Sequence, residues 1–157
     1  MNAAHDLARW LTRSDQDARD IVQESYLRAF RFFDTWQGGD AKAWLLTIVR
    51  NMSRTWHERR SRDAGFVPFD ETMHAGALSH EPSHEQRVAD RDDMRILKSC
   101  IENLPTEFRE VLVMRELEEM SYREIAEVTG IAMGTVMSRL SRARRLLSDC
   151  ATGKAAR

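Results

Sequence analysis

Residues 120–147, MSYREIAEVTGIAMGTVMSRLSRARRLL, decide the fold. The stretch reads as two helices joined by a short turn, with arginine loaded on one side of the second. Ala126, Gly130 and Val136 stand at the spacing A-x3-G-x5-V, and each meets a steric need. Ala126 is small where the helices approach. Gly130 closes the first helix in a left-handed turn, a backbone state that costs glycine little. Val136 anchors the second helix on the first. Thr135 is expected just ahead of the second helix, capping its free amides. Ser121, with Glu124 three residues on, forms a capping box for the first. Such a helix-turn-helix presents its second helix to the major groove of DNA.

That second helix is expected from about Gly134 to Asp149. Val136, Leu140, Ala143 and Leu147 fall on its core side, and Ser138, Arg139, Ser141, Arg142 and Arg145 fall largely outside. Arginine can bond guanine O6 and N7 together, and serine a base or a phosphate. Ser138 and Arg142, near the helix start, are read as base contacts. Arg139 and Arg145 are read as phosphate contacts or packing residues.

Upstream, Met94, Leu97, Ile101 and Leu104 keep a helical spacing. Pro105 is expected to open the next helix at its first position, where a missing N–H costs nothing. Phe108, Val111, Leu112 and Leu117 mark that helix's core face. Residues 63–86 hold Pro68, Pro82, Gly65 and Gly76 without a sustained period, and read as a flexible linker. His74, His80 and His84 lie there without a cysteine or carboxylate constellation, so no metal site is expected.

Before the linker, Val22, Tyr26, Ala29, Phe30 and Phe33 form an apolar stripe, opposite Asp20, Gln23, Glu24, Leu27 and Arg31. The glycines of TWQGGD, residues 35–40, end that helix. The next begins at about Ala41, with Leu45, Ile48, Val49, Met52 and Trp56 on one face. Arg50, Asn51, Arg54 and His57 lie on the other. A short helix before Ser14 completes a three-helix unit. The chain is thus expected to be all-α, with two small helical domains: a three-helix unit over 1–62 and a four-helix unit over 87–149, followed by a tail over 150–157.

Composition agrees with this. Seven glycines and three prolines in 157 residues disfavour a turn-rich β protein. No apolar run is long enough to cross a membrane, and the N-terminus lacks the apolar core of a signal peptide. Cys100 and Cys150 read as two reduced thiols of a cytoplasmic protein. No nucleophile–base pair, phosphate loop or metal cluster suggests an enzyme or a cofactor. The net charge of −1 divides into +3 over 1–62, −8 over 63–120 and +4 over 121–157. Two basic ends suit phosphate and the acidic middle does not. A sequence pI near 6.5 implies DNA binding that is weak without a partner.

The string LPTEFREVLVMRELEEMSYREIAEVTGIAMGTVMSRLSRARRLL resembles region 4 of bacterial σ factors of the extracytoplasmic-function type. DARDIVQESYLRAFRFFD with AKAWLLTIVRNMSRTWHERR resembles region 2 of the same family. The resemblance implies a promoter-specificity subunit that binds core RNA polymerase, reads promoter DNA and helps to melt it. It implies polymerase docking through Asp20, Gln23, Glu24 and Arg28, which match the family's DxxQExxxR stretch. It assigns the −10 element to Arg50, Asn51, Arg54 and the loop from Trp36 to Lys42. Trp36 either stacks on an unpaired base or closes the core beside Trp44. The −35 element falls to the helix-turn-helix. An anti-σ factor is a further implied partner, as is packing of the two domains on each other when free. Met137 stands where many relatives carry Lys or Arg. The rival reading is a σ mimic, a decoy that binds an anti-σ factor without touching DNA.

Overall fold

Side-chain caps start the first three helices. Asn2 accepts from the Ala4 amide to open α1 (Ala3–Thr12), and Ser14 accepts from the Asp17 amide to open α2 (Asp15–Arg31). Asp40 accepts from the Lys42 amide at 2.8 Å to open α3 (Ala41–Asp63). Each cap satisfies an amide that the helix leaves unpaired. Arg13, at φ 59°, makes the sharp turn between α1 and α2. A 3-10 turn over Phe33–Thr35 ends α2, and Gly38 and Gly39, both near φ 90°, carry the loop into α3. The computed structural model describes residues 2–64 and 85–153. Most of the expected linker, including His74, His80 and His84, lies outside the described residues.

The second unit holds α4 (Glu85–Glu102), α5 (Thr106–Glu116), α6 (Tyr122–Thr129) and α7 (Met133–Ala151). Among the described residues there is no strand. The capping box at Ser121 and Glu124 is formed. Gly130 ends α6 at φ 69°, the left-handed state expected of it. Between α5 and α6, Glu119 turns the chain at φ 55°, and the Arg115 guanidinium braces that turn by donating to the Met120 carbonyl at 2.8 Å.

Several expectations are corrected. Thr135 does not cap α7. That helix begins at Met133 behind Ala132, which has no capping side chain, and Thr135 sits exposed in the first turn. Pro105 takes the N-cap position of α5, one residue ahead of the place expected. The buried residues of α2 are Ala18, Ile21 and Ser25, while Tyr26, Phe30 and Phe33 point to solvent. The aromatic stripe was mistaken for core; small side chains instead let α2 lie close on its neighbours. Cys100 and Cys150 are bonded to each other, with Cα atoms 5.8 Å apart. The packing of α4 against α7 brings together residues 50 positions apart, which spacing cannot show. The argument for a reducing compartment from two free thiols therefore falls.

The two units share one apolar core. Leu7, Leu11, Leu46 and Val49 of the first belong to the same buried cluster as Val111, Met114, Ile125 and Leu140 of the second. α1 lies against α5, and α3 against α6. A smaller cluster of Leu104, Leu112 and Ala143 packs the α4–α5 connection and the middle of α5 against α7.

Candidate nucleic-acid interface

On α7, Val136, Leu140 and Ala143 are fully buried. The helical period then turns Thr135, Ser138, Ser141, Arg142 and Arg145 outward, and all five are exposed. This is the surface a major groove would meet. Ser138 keeps its hydroxyl near the backbone by donating to the Thr135 carbonyl at 3.0 Å. Arg139 differs: only 25% of its side chain is exposed, and Nη1 lies 3.6 Å from Oε1 of Glu110 on α5. Arg144, not singled out from sequence, donates to Glu116 from Nε at 3.0 Å and Nη2 at 2.7 Å, tying α7 to α5.

The α3 face is split. Asn51 and Arg54 are exposed as expected. Arg50 is not on an exposed face. It is 7% exposed and donates to Glu110 twice, Nε to Oε2 at 2.8 Å and Nη2 to Oε1 at 3.0 Å. The isolated α3 pattern gave Arg50 to solvent; packing against the second unit buries it. Lys42, at the start of α3, donates to the Glu118 carbonyl at 3.0 Å, with the Glu118 carboxylate 3.5 Å away.

The glycine loop frames a cleft of about 460 Å³, bordered by Trp36, Asp40, Trp44, Thr47 and, from α6, Glu127. Trp36 lies 6.3 Å from Trp44 and 5.7 Å from Phe33, ring centre to ring centre. Its indole edge is half-sheltered, and Nε1 is buried without a hydrogen-bond partner. Trp36 packs on Trp44 and borders the cleft. A second cleft of about 240 Å³ runs along α3 and is bordered by Asn51, Met52 and Trp44, with Arg28 of α2 at its rim.

Asp20, Gln23, Glu24 and Arg28 share one solvent-facing side of α2, with Glu24 and Arg28 paired at 3.3 Å. Beside them stand exposed apolar side chains: Tyr26, Leu27, Phe32, Phe33 and above all Phe30, which is 85% exposed. Periodicity alone hid this patch by assigning its aromatics to the core. A cluster of this kind on a helix surface marks a partner site. At the α6 N-terminus, the Ser121 backbone amide and hydroxyl hold the Glu124 carboxyl below its ordinary range, with Asp40 and Lys42 of the first unit adding to the effect.

The arrangement has known counterparts. Residues 1–63 match the family model for Sigma-70 region 2, and residues 94–147 match Sigma-70, region 4. The ECF RNA polymerase sigma-E factor of Salmonella typhimurium is 31% identical over 139 residues, which cover 85% of this chain and 73% of that protein. The chain belongs to the ECF RNA polymerase sigma factors.

Other ECF factors agree. SigE of Mycolicibacterium smegmatis is 33% identical over 144 residues, and the match spans 91% of this chain but 55% of that protein. The sigma-E factor of Escherichia coli K12 is 30% identical over 85% of this chain and 73% of its own length. Among solved structures, the sigma factor RpoE of Bartonella quintana, in complex with the anti-sigma factor NepR, superposes with a TM-score of 0.74 at 27% identity, covering 94% of this chain and 89% of that one. CnrH, in complex with the cytosolic domain of CnrY, gives 0.65 at 26% identity, covering 93% and 78%. In this ECF factor the region 2 match runs through α1, α2 and α3, and the region 4 match from the middle of α4 into α7.

Proposed function

We propose that the chain is a promoter-specificity subunit that binds core RNA polymerase, recognises the −10 and −35 elements and supports DNA melting. The observation that carries this is the row Ser138, Ser141, Arg142 and Arg145, turned outward behind the Gly130 turn. Such a row suits a major groove and serves no packing need. Ser138 and Arg142 contact bases of the −35 element; Thr135, Ser141 and Arg145 contact its backbone, joined by Arg139 once released. For the −10 element, Asn51 reads a base edge, Arg54 and Lys42 hold phosphate, and Trp36 walls the pocket for an unstacked base.

Asp20, Gln23, Glu24 and Arg28, with the Phe30 patch, dock on the polymerase. Residues 1–62 and 87–149 act as two domains. Core polymerase puts the protein in the cytoplasm, and an anti-σ factor is a further partner, since the superposed RpoE structure carries one. Nothing in this role calls for catalysis or a cofactor.

The test is run-off transcription with purified core polymerase over a promoter library. Selective transcripts should appear with the protein and disappear with Arg142→Ala or Asn51→Ala. The loss of one bidentate base contact costs about 1–3 kcal/mol. Polymerase binding without DNA selectivity would overturn the reading. Binding to an anti-σ factor alone would make the chain a decoy.

A further inference from the structure

Beside Ser138 and Arg142, α7 carries a second exposed row, and it is apolar. Met133 is 45% exposed and Met137 47%. Neither joins an apolar cluster of the described residues. The two stand four residues apart, so their side chains lie one above the other on the helix surface. Exposed Ser141 continues the row. At about 100° per residue, Met137 and Ser141 fall between buried Leu140 and the outward pair Ser138 and Arg142. The methionine row therefore borders the outward face along one side. Between Met137 and Ser138, exposed Gly134 adds no side chain, and the space above it is open. A groove floor can come close to the helix there.

Resting on the proposed function, we infer that Met137, with Met133 one turn before it, reads the C5-methyl groups of thymine in the −35 element. The chemistry of the side chain selects this ligand. A thioether carries no charge for phosphate and accepts hydrogen bonds only weakly. It cannot satisfy the donors and acceptors that adenine, guanine and cytosine present in the major groove, whereas thymine adds an apolar methyl there. Helical side chains lean toward the N-terminus, the end of a recognition helix that reaches base edges. Methionine is unbranched and polarisable, so it adapts to a methyl group without a fixed rotamer. Contact takes exposed apolar surface out of water, and that burial is the driving force. Arg142 and Arg145 stand exposed on the adjoining face and bring phosphate to it, so DNA matches the charge around the row better than an apolar protein surface does. With Arg142 on guanine and Met137 on a methyl, the two rows favour guanine close to thymine.

Removing single methyl groups tests this. Core polymerase carrying this chain first selects its promoters from the library. Each thymidine of the selected −35 element is then replaced by deoxyuridine, which lacks only the C5 methyl, and promoter affinity is read by competition. With the wild-type chain, the replacement should weaken binding about fourfold at one or two positions, the value of one buried methyl. With Met137→Ala the same replacement should cost nothing, and Met137→Leu, which restores an apolar side chain, should recover part of the effect. A −35 element without thymine, or one whose thymidines all tolerate replacement, overturns the inference, and neither result needs a variant. A methyl effect that is unchanged in both Met137→Ala and Met133→Ala overturns it too. Should Met137→Ala weaken assembly with core polymerase while deoxyuridine is tolerated, the row belongs to a protein surface and the inference falls. A polymerase complex that selects no −35 element overturns the proposed function and this inference together. A selected element without methyl dependence overturns the inference alone.

Discussion

Arg50 and Glu110, 60 residues apart on helices of the two units, form a two-pronged ion pair with almost no exposure to water. The pair ties α3 to α5 where the first unit meets the second. Neither residue declares this locally. Arg50 sits in a run that reads as a DNA-facing surface, and Glu110 stands between Arg109 and Val111 on a helix whose charged residues read as solvated.

Glu110→Leu should therefore harm the fold more than the pair's absence does. The single change leaves a buried guanidinium without its bidentate partner, at a cost of about 3–5 kcal/mol. Arg50→Met with Glu110→Leu removes both charges and should recover most of the lost melting temperature. A double variant that melts no higher than Glu110→Leu would refute this account.

Reduction should weaken the second unit. The Cys100–Cys150 bond closes a loop over a separation of 50 residues. The chain-entropy model gives such a loop about 4 kcal/mol. Melting with and without reductant measures it, and Cys100→Ser with Cys150→Ser should match the reduced protein. Equal melting temperatures would mean the bond is absent in solution.

Acid should destabilise the first unit through His57. Its Nε2 donates to the Leu11 carbonyl at 2.7 Å, so the neutral ring fits the site. Burial lowers its pKa from near 6.5, and Arg109, Arg13 and Arg60 push the same way, against the Leu11 bond. The unfolded chain then takes up the proton more readily. Stability is complete above about pH 6.5 and declines as pH falls below it. His57→Gln retains an N–H donor and should flatten this dependence in melts between about pH 7 and pH 5; an unchanged slope would clear His57.

Phe30 offers a cleaner test of docking. At 85% exposure it contributes little to the core. Phe30→Ser should leave the melting temperature nearly unchanged, within about 0.5 kcal/mol. Affinity for core polymerase should fall at least about tenfold, as expected for a central aromatic anchor. A loss of stability without loss of affinity would return Phe30 to the core.

The turn at Gly130 carries its own prediction. Nothing lies within 4 Å of a side chain placed there, so the cost of Gly130→Ala is its φ of 69° alone. That amounts to about 1–2 kcal/mol by chemical denaturation, and Gly130→Asn should lose less. A neutral Gly130→Ala would mean that α6 ends differently in solution.

The helix-turn-helix was legible because its determinants are local. Gly130 needs a backbone state, Ser121 and Glu124 cap a helix across one turn, and Val136, Leu140 and Ala143 repeat at the helical period. The outward face of α7 followed directly. The α2 aromatics were misread because periodicity cannot tell a face buried in the protein from one kept for a partner. Thr135 was misplaced because helix starts blur by a residue or two.

What the sequence determined by itself is the set of helices, the helix-turn-helix and the family pattern, since each rests on contacts among near neighbours. Tertiary structure alone decided that Arg50 is buried on Glu110, that Arg139 shares that carboxylate, that Glu118 holds Lys42, and that Cys100 meets Cys150. These pairings join residues far apart along the chain, and only the packing of α1 and α3 on α5 and α6, and of α4 on α7, brings them within bonding distance.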